Sequence, residues 1–203
     1  MACSISKELI EKTIAFHGHS CPGLAIGIRA AELALKEIGK APDEEIVAVV
    51  ETDMCGVDAI QFLTGCTFGK GNLIHKDLGK MAFNFYDRRK NIGFRAILHP
   101  DISGEVGSEL RRLSKKVAKG AANEEERIRY EELRRALRDR YMGADIEEMF
   151  IIMEPAFPVP KPARILQSLQ CEGCGEMTME SRTRRMDGKT LCLSCFEKRE
   201  QKI

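Results

Sequence analysis

The sequence predicts a mixed fold of helices and β-strands, followed by a small zinc-binding domain at the C-terminal end. Apolar residues recur at three- and four-residue spacing in several segments, and β-branched or alternating runs occur in others. Two Cys-x-x-Cys motifs lie near the C-terminus. A chain of 203 residues, 43% of them apolar, is long enough to bury a core and to carry a small additional module.

The charge of the chain indicates no partner. It has 32 Lys and Arg residues against 31 Asp and Glu residues, so no global field attracts nucleic acid or an anionic membrane. Residues 1–7 contain no apolar core of a signal peptide, and no stretch approaches the roughly eighteen apolar residues of a membrane span. We therefore expect a cytoplasmic protein.

The eight cysteines are distributed as metal ligands rather than as disulfides. Four of them form the two Cys-x-x-Cys pairs, and three others lie near histidines or glycine turns. Cys3, close to the N-terminus, fits neither group and is interpreted as a spare thiol.

Two helices are predicted near the N-terminus. Ser6 is a suitable N-cap for a helix that extends through Phe16. The second helix is expected from Pro22 to about Ile38, because proline suits the first helical turn and Gly39 suits the position after the last one.

This second helix has an apolar stripe with helical spacing. The stripe consists of Leu24, Ile28, Ala31, Leu35 and Ile38. Arg29, Glu32 and Lys36 fall on the other side, so we expect an amphipathic helix with one face towards the core.

Strands and one short helix are predicted in the middle of the chain. Residues 46–50 are a continuous β-branched run, typical of a buried strand, and residues 57–63 form a short helix closed by a Thr-Gly pair. The alternating runs 80–86 and 94–99 predict a hairpin of antiparallel strands, with Gly93 in the connecting turn. A final strand is expected over 149–153.

Two further helices are expected between the hairpin and the last strand. Asn123, with Glu126 three residues later, is a plausible cap for the second of them. Their basic and acidic residues balance, which indicates a solvated face rather than a nucleic-acid patch. Four prolines then predict a stiff linker, so we expect a domain over 1–155, a linker over 156–168 and a zinc module over 169–203.

The stretch His17-Gly18-His19-Ser20-Cys21 is the most chemically dense part of the sequence. If it is extended, the side chains of His17, His19 and Cys21 emerge on one face and can hold one metal ion. Cys21 would also lie at the N-terminus of the second helix, where the macrodipole favours the thiolate.

A glycine-rich segment follows the short helix. A P-loop needs four residues between its first glycine and Gly-Lys, and then Ser or Thr. Gly65 and Gly69 are separated by only three residues and Gly71 follows Lys70, so a P-loop NTPase is excluded. Two interpretations stay open: a turn that presents amides and Lys70 to an anion, and a plain tight turn.

The C-terminal cysteines give the strongest local signal. Cys171 and Cys174 are separated from Cys192 and Cys195 by seventeen residues, a spacing typical of a four-cysteine structural zinc site in a zinc ribbon or treble clef. So short a module cannot bury a sufficient core, whereas zinc binding supplies about 10–16 kcal/mol. We expect zinc to form its core.

The partner of this module is open between protein and nucleic acid. Its loop carries four basic residues, Arg182, Arg184, Arg185 and Lys189. Residues 171–203 are nevertheless nearly balanced in charge, which argues against tight nonspecific nucleic-acid binding. A structural or protein-docking role is therefore favoured over binding to DNA.

Several separated motifs occur in one order along the chain. They are His17-Gly18-His19, Cys21-Pro22-Gly23, Asp53-x-Cys55, Asp58-Ala59-Ile60-Gln61, Thr64-Gly65-Cys66-Thr67 and Gly69-Lys70-Gly71-Asn72-Leu73. With these motifs the sequence resembles the E-subunit family of formylmethanofuran dehydrogenase over roughly residues 10–155. The zinc module resembles the C-terminal appendage of some members.

The resemblance implies an α+β domain with a largely antiparallel sheet flanked by helices. It also implies a homodimer, and association with molybdenum or tungsten formylmethanofuran dehydrogenases of one-carbon metabolism. No molybdopterin signature is present in the chain, and a reaction does not follow from the resemblance.

The matching positions imply one site in the first domain. His17, His19, Cys21 and Cys55 are expected to bind a second zinc or iron ion there, and Cys66 is expected to converge on the same site. Three ligands with an open fourth position would make the site catalytic. The alternative is that these residues are ordinary core or strand residues.

Three further residues have expected roles beside that metal. Asp53 and Asp58 would orient the histidine ligands or act as a general base. Lys70 would clamp an anionic substrate, and Cys21 and Cys55 would act as ligands or as a redox pair. The catalytic residues implied in this way are Cys21, Cys55, Asp58, Cys66 and Lys70.

Two functions of different classes remain. The first is an oxidoreductase-related, metal-dependent protein of one-carbon metabolism. The second is a non-enzymatic metal sensor or regulator whose zinc module docks on a protein or on DNA. A thiol redox protein is less favoured, because the first domain has no Cys-x-x-Cys motif.

Overall fold

The computed structural model describes residues 3–39 and 45–200. The chain divides into two compact units, Met1–Pro162 and Ala163–Ile203. The three-part domain division stated above stays a prediction.

The first unit has the mixture of helices and strands that the sequence predicts. In chain order these elements are α1 (Lys7–His17), α2 (Pro22–Glu37), β1 (Ile46–Val50), α3 (Gly56–Thr64), β2 (Leu73–His75), β3 (Ala82–Asp87), β4 (Ile92–Leu98), α4 (Gly104–Ala118), α5 (Glu124–Gly143), α6 (Ile146–Met149) and β5 (Phe150–Met153). Local rules set several ends: Ser6 caps α1, and Asn123 and Glu126 form a capping box on α5.

Five strands form one sheet in the order β2-β1-β3-β4-β5. The β1–β2 pair is parallel, and the other three pairs are antiparallel. The sheet is therefore largely antiparallel and is flanked by helices, which confirms the predicted α+β class.

The hairpin turn between β3 and β4 is tighter than the sequence indicates. Gly93 is expected in the turn but pairs with Tyr86 inside the ladder. A Cβ at Gly93 would lie 2.7 Å from the Tyr86 ring, so the ring packs where only glycine leaves room. Asn91, with φ 52°, supplies the left-handed residue of the turn.

Helix α2 is buried along almost its whole length. Ala25, Ala30 and Leu33 pack in the main core with residues of β1, β3 and β4. A helix that is buried on all sides lies inside the fold rather than on its surface. Among the described residues, no helix has the length and hydropathy needed to cross a membrane.

Arg29 and Glu32 correct the amphipathic interpretation of α2, because both side chains are buried. They form an ion pair at 2.8 Å, and Arg29 also donates to the carbonyl of Ala144 at 2.6 Å. The other carboxylate oxygen of Glu32 accepts from the Ser4 amide at 2.6 Å. Buried charges require such partners, and here they tie the N-terminal segment and the end of α5 to α2.

The proline-rich segment packs along the second face of the sheet. Phe157 and Val159 contact the side chains of Val47, Val49 and Tyr86. The Tyr86 hydroxyl donates to the Phe157 carbonyl at 2.8 Å, and Arg88 donates to the Pro160 carbonyl at 2.8 Å. Up to this point the segment belongs to the first unit rather than standing free as a spacer.

A buried ion pair on that same face joins β1 to β4. Arg95 donates to both carboxylate oxygens of Glu51, at 2.6 and 2.7 Å, and Asn84 donates to one of them at 2.9 Å. These hydrogen bonds, foremost those from Arg95, lower the pKa of the Glu51 carboxyl below its ordinary value. The side-chain oxygen of Asn84 accepts from the Ala156 amide at 2.9 Å, which extends the network to the proline-rich segment.

The second unit consists of two hairpins and a short helix. Its elements are β6 (Ser168–Gln170), β7 (Met177–Met179), a 3₁₀ turn (Glu180–Arg182), β8 (Thr183–Met186), β9 (Lys189–Cys192) and α7 (Leu193–Glu197). Strand β6 pairs with β7, and β8 pairs with β9, both antiparallel. Within this unit Cys171 and Leu191 are fully buried.

We expect Glu51→Gln to lower the free energy of unfolding by about 3 kcal/mol at neutral pH, because it leaves Arg95 buried without its charge partner. The folded-state pKa of Glu51 is depressed, so its contribution is present above the unfolded pKa and is lost as the pH falls through the folded value. The difference between variant and wild type should therefore shrink in acid. Urea unfolding followed by circular dichroism at several pH values measures it.

The control for this variant is Glu109→Gln, which removes the partner of Arg129 from a solvent-exposed ion pair. Such pairs contribute little, so this change should leave the unfolding curve almost unaltered. Equal losses for the two variants would contradict the role assigned to the buried pair.

Candidate metal centres

The histidine-rich stretch is a helix end followed by a helix start, not one extended run. His17 is the last residue of α1, and Gly18 caps the helix in the left-handed conformation, with φ 92°. The Gly18 amide donates to the Ile14 carbonyl at 2.8 Å. Cys21 is the extended N-cap of α2, and its sulfur accepts from the Leu24 amide at 3.3 Å. A bend, rather than strand alternation, brings the side chains together.

A backbone contact between α2 and α3 brings Cys55 to the same place. A Cβ at Gly27 would lie 2.0 Å from the Gly56 carbonyl oxygen, and a Cβ at Gly56 would lie 2.9 Å from the Gly23 carbonyl oxygen. The two helices therefore touch through glycine backbone. Cys55 precedes Gly56, and a Cβ at Gly23 would be 3.3 Å from the Cys55 Cβ.

This contact sets the first cluster, and the sequence reasoning missed its importance. The available signal was an isolated glycine, Gly27, inside a strongly helical pattern, which commonly marks close packing.

Four side chains converge at this point: His17, His19, Cys21 and Cys55. Each offers one ligand atom, and all four atoms lie within 4.8 Å of one another. The Cys21 sulfur is 4.0 Å from Nε2 of His17, and the two imidazole rings are 4.4 Å apart. Cys21 is buried and His19 is exposed. Burial and the neighbouring Cys21 thiol raise the pKa of Cys55.

Asp58 contacts the cluster from the first turn of α3. One of its carboxylate oxygens is 2.7 Å from Nδ1 of His17. When Nδ1 carries the proton and donates it to this carboxylate, Nε2 keeps its lone pair and points to Cys21. This is the arrangement in which proteins orient a metal-binding imidazole. Asp58 thus lies where a carboxylate can orient a histidine ligand.

Three of the predicted site residues lie outside the cluster. Cys66 is fully buried in the main core, where its thiol donates to the Ile46 carbonyl at 3.4 Å and burial raises its pKa. Lys70 follows the opposite end of α3, whose nine residues span about 13 Å. Asp53 is exposed before α3 and is not among the clustered ligands. This placement gives no support to the catalytic roles expected for Cys66 and Lys70.

The second cluster consists of Cys171, Cys174, Cys192 and Cys195, whose sulfur atoms also lie within 4.8 Å of one another. The hairpin β8–β9 and the start of α7 present the second pair. Gly175, with φ 79°, turns the chain after the first pair.

Backbone amides surround the sulfur atoms of this second cluster. Cys171 accepts from the amides of Cys192 and Gly173, at 3.2 and 3.4 Å. Amide donors of this kind lower the pKa of Cys171 to about 6, whereas the neighbouring Cys192 sulfur raises the pKa of Cys195 to about 12. Four thiols packed so closely cannot all ionise without a cation, which is the setting that zinc provides.

Two family matches cover most of the chain. Residues 16–151 match the family described as FmdE, of the molybdenum formylmethanofuran dehydrogenase operon. Residues 164–201 match the prokaryotic dksA/traR C4-type zinc finger, which agrees with the four-cysteine cluster.

Two individual proteins are similar over nearly the whole chain. The crystal structure of an FmdE-like protein of tungsten formylmethanofuran dehydrogenase from Syntrophus aciditrophicus is 26% identical, with 99% of both chains covered and a TM-score of 0.63. A probable S-adenosyl-L-methionine-binding protein from Archaeoglobus fulgidus is 31% identical over 196 residues. That match covers 93% of this chain but 52% of the Archaeoglobus protein, so the chain spans about half of its length.

We expect Gly27→Ala to lower the free energy of unfolding by about 3 kcal/mol, because the added methyl group overlaps the Gly56 carbonyl and forces α2 and α3 apart. The separation should also disperse the first cluster. Urea unfolding measures the stability, and reaction of the cysteines with a thiol reagent measures exposure of Cys21.

Gly143→Ala is the matched control, because it also lies in a helix but a Cβ there has nothing within 4 Å. It should be neutral or slightly stabilising. If Gly27→Ala behaved in the same way, the glycine contact would not be what positions the cluster.

Proposed function

The chain belongs to the FmdE family of the molybdenum formylmethanofuran dehydrogenase operon, and from this premise we propose that its first cluster binds one zinc ion and acts in one-carbon redox metabolism. At the coarser level it is a metal-binding FmdE-like protein with a C-terminal zinc finger. The observation that carries the proposal is the convergence of four ligand atoms with Asp58 bonded to one of the histidines.

The chemistry of the donors supports zinc. Two thiolates and two imidazoles are a typical zinc set, and iron is the alternative for the same donors. Cys21 and Cys55 would supply two negative charges in a half-buried position, where only a bound cation balances them. Nε2 of His17, held by Asp58, would be the third ligand.

His19 distinguishes this cluster from a closed structural site. It is the exposed ligand of the four, and it follows the left-handed Gly18. The other three residues are half-buried or buried and held by helices. We propose that His19 is exchangeable, so that a substrate atom takes its place. A zinc ion with one such position acts as a Lewis acid on a bound carbonyl or carboxylate.

The partner is proposed from the family. Catalytic subunits of molybdenum or tungsten formylmethanofuran dehydrogenase are the expected partners, and the protein is expected to be a homodimer. The operon in the family's description and the dehydrogenase in the name of the Syntrophus protein support this choice. Handling of the formyl group, or of the one-carbon product, is the step we assign to the zinc site.

A metal-sensing regulator is the second candidate. The match to the dksA/traR zinc finger and the exposed basic residues of its loop favour a docking role for the second unit. In that case the first cluster would bind zinc reversibly through His19 and would turn over no substrate. DNA or a protein would then be the partner.

Elemental analysis of protein purified without added metal should give two zinc ions per chain. The double variant Cys21→Ser, Cys55→Ser should contain one, because it loses two thiolate ligands. The matched control is Cys171→Ser, Cys174→Ser, which should also fall to one but keep the first site. Asp58→Asn should keep the ligands and weaken metal affinity about 10- to 100-fold.

One zinc in wild type that stays unchanged in the first double variant would contradict a metal in the FmdE-like unit. Iron instead of zinc in the first site would keep the site and change only the metal.

The one-carbon role is tested with purified catalytic subunits of a formylmethanofuran dehydrogenase. We expect the chain to co-elute with them in gel filtration and to raise the rate of formyl oxidation. The Cys21→Ser, Cys55→Ser variant should still bind but lose the rate effect. Neither binding nor an effect on rate would refute the dehydrogenase assignment and would leave the sensor.

A further inference from the structure

A small cavity lies beside the first cluster, between α1, α2 and α5. Its volume is about 190 Å³. The apolar lining consists of Ile10, Ile14, Leu24, Ala25, Ile28 and Met142. Cys21 also lines it, so the cavity and the cluster share one residue.

The size of the cavity limits what it can hold. A water molecule takes about 30 Å³ in the liquid, so the space equals roughly six waters. Nucleoside-sized ligands need cavities of several hundred cubic ångströms. The cavity therefore suits a molecule with a few carbon atoms, whose apolar part would gain about 0.8 kcal/mol for each buried methylene group.

The polar lining sets the charge of the ligand. Besides Cys21, it consists of Ser20 and Arg138, and Arg138 is the one charged side chain among the lining residues described. Its guanidinium contacts one carboxylate oxygen of its neighbour Asp139, through Nε at 2.8 Å and Nη2 at 2.7 Å. The Asp139 side chain is 65% exposed, so this pair is weak. A guanidinium has five N–H donors, more than these contacts use.

We propose that this cavity binds a short-chain carboxylate, with its alkyl part among the isoleucine, leucine and methionine side chains and its carboxylate against Arg138. The inference deepens the proposed function and rests on it, because it names the class of molecule that is held next to the zinc. The arrangement places one end of the ligand at the Cys21 wall, beside the exchangeable position of His19.

The test uses pentanoate and its neutral counterpart pentanamide, which have the same alkyl chain. Binding is followed on the full chain through the ¹³C-labelled methyl group of Met142, with Met177 of the second unit as the internal reference. Met142→Leu assigns the resonance. We expect pentanoate to shift the Met142 signal and to bind at least tenfold more tightly than pentanamide.

Three variants locate the binding energy. Arg138→Gln should remove the preference for the anion, at about a tenfold loss of pentanoate affinity, while pentanamide affinity is unchanged. Arg135→Gln, the same change on an exposed arginine of the same helix, should behave as wild type. Cys55→Ser removes a zinc ligand that does not line the cavity, and should leave most of the pentanoate affinity in place.

The outcomes separate this inference from the proposed zinc site. No shift of Met142 in protein that holds two zinc ions would overturn the cavity inference alone. Pentanoate binding that survives Arg138→Gln but is lost in Cys55→Ser would mean that the carboxylate binds the metal directly, which also overturns it. A single zinc in wild type would refute the proposed site, whatever pentanoate does.

Discussion

The backbone contact between Gly27 and Gly56 is the constraint on which the first unit depends. It lets α2 and α3 meet without side chains between them, so the starts of the two helices lie together. Cys21 and Cys55 belong to those starts and therefore meet, although a helix and a strand separate them in the sequence. The first cluster thus exists because glycine occupies both sides of one helix contact.

The charged residues of the interior are held in pairs. Arg29 with Glu32, and Arg95 with Glu51, are each buried and bonded across short distances. Each pair also reaches a distant part of the chain: Arg29 bonds the Ala144 carbonyl, and the Glu51 network continues through Asn84 to the proline-rich segment. Such pairs contribute little net stability compared with apolar residues, but they penalise any packing that separates the partners.

Local rules predicted local features, and long-range packing escaped them. The strand 46–50, the Ser6 cap and the four C-terminal cysteines follow from spacing and residue type alone, and the structure agrees with each. The burial of Arg29 was missed, since its partner carbonyl lies 115 positions away. Cys66 was grouped with the other cysteines by its motif, but the direction of α3 carries it into the core.

Helix α1 has Thr13 as the one fully buried residue among those described in it, so little of its surface anchors it to the rest of the unit. Its firm attachment is at its last residue, where His17 meets Asp58. Local opening of α1 and departure of His17 from the cluster are therefore one event, at the low-energy end of the unit's fluctuations. The lifetime of a metal ion at this centre would then be governed by how often a single helix frays.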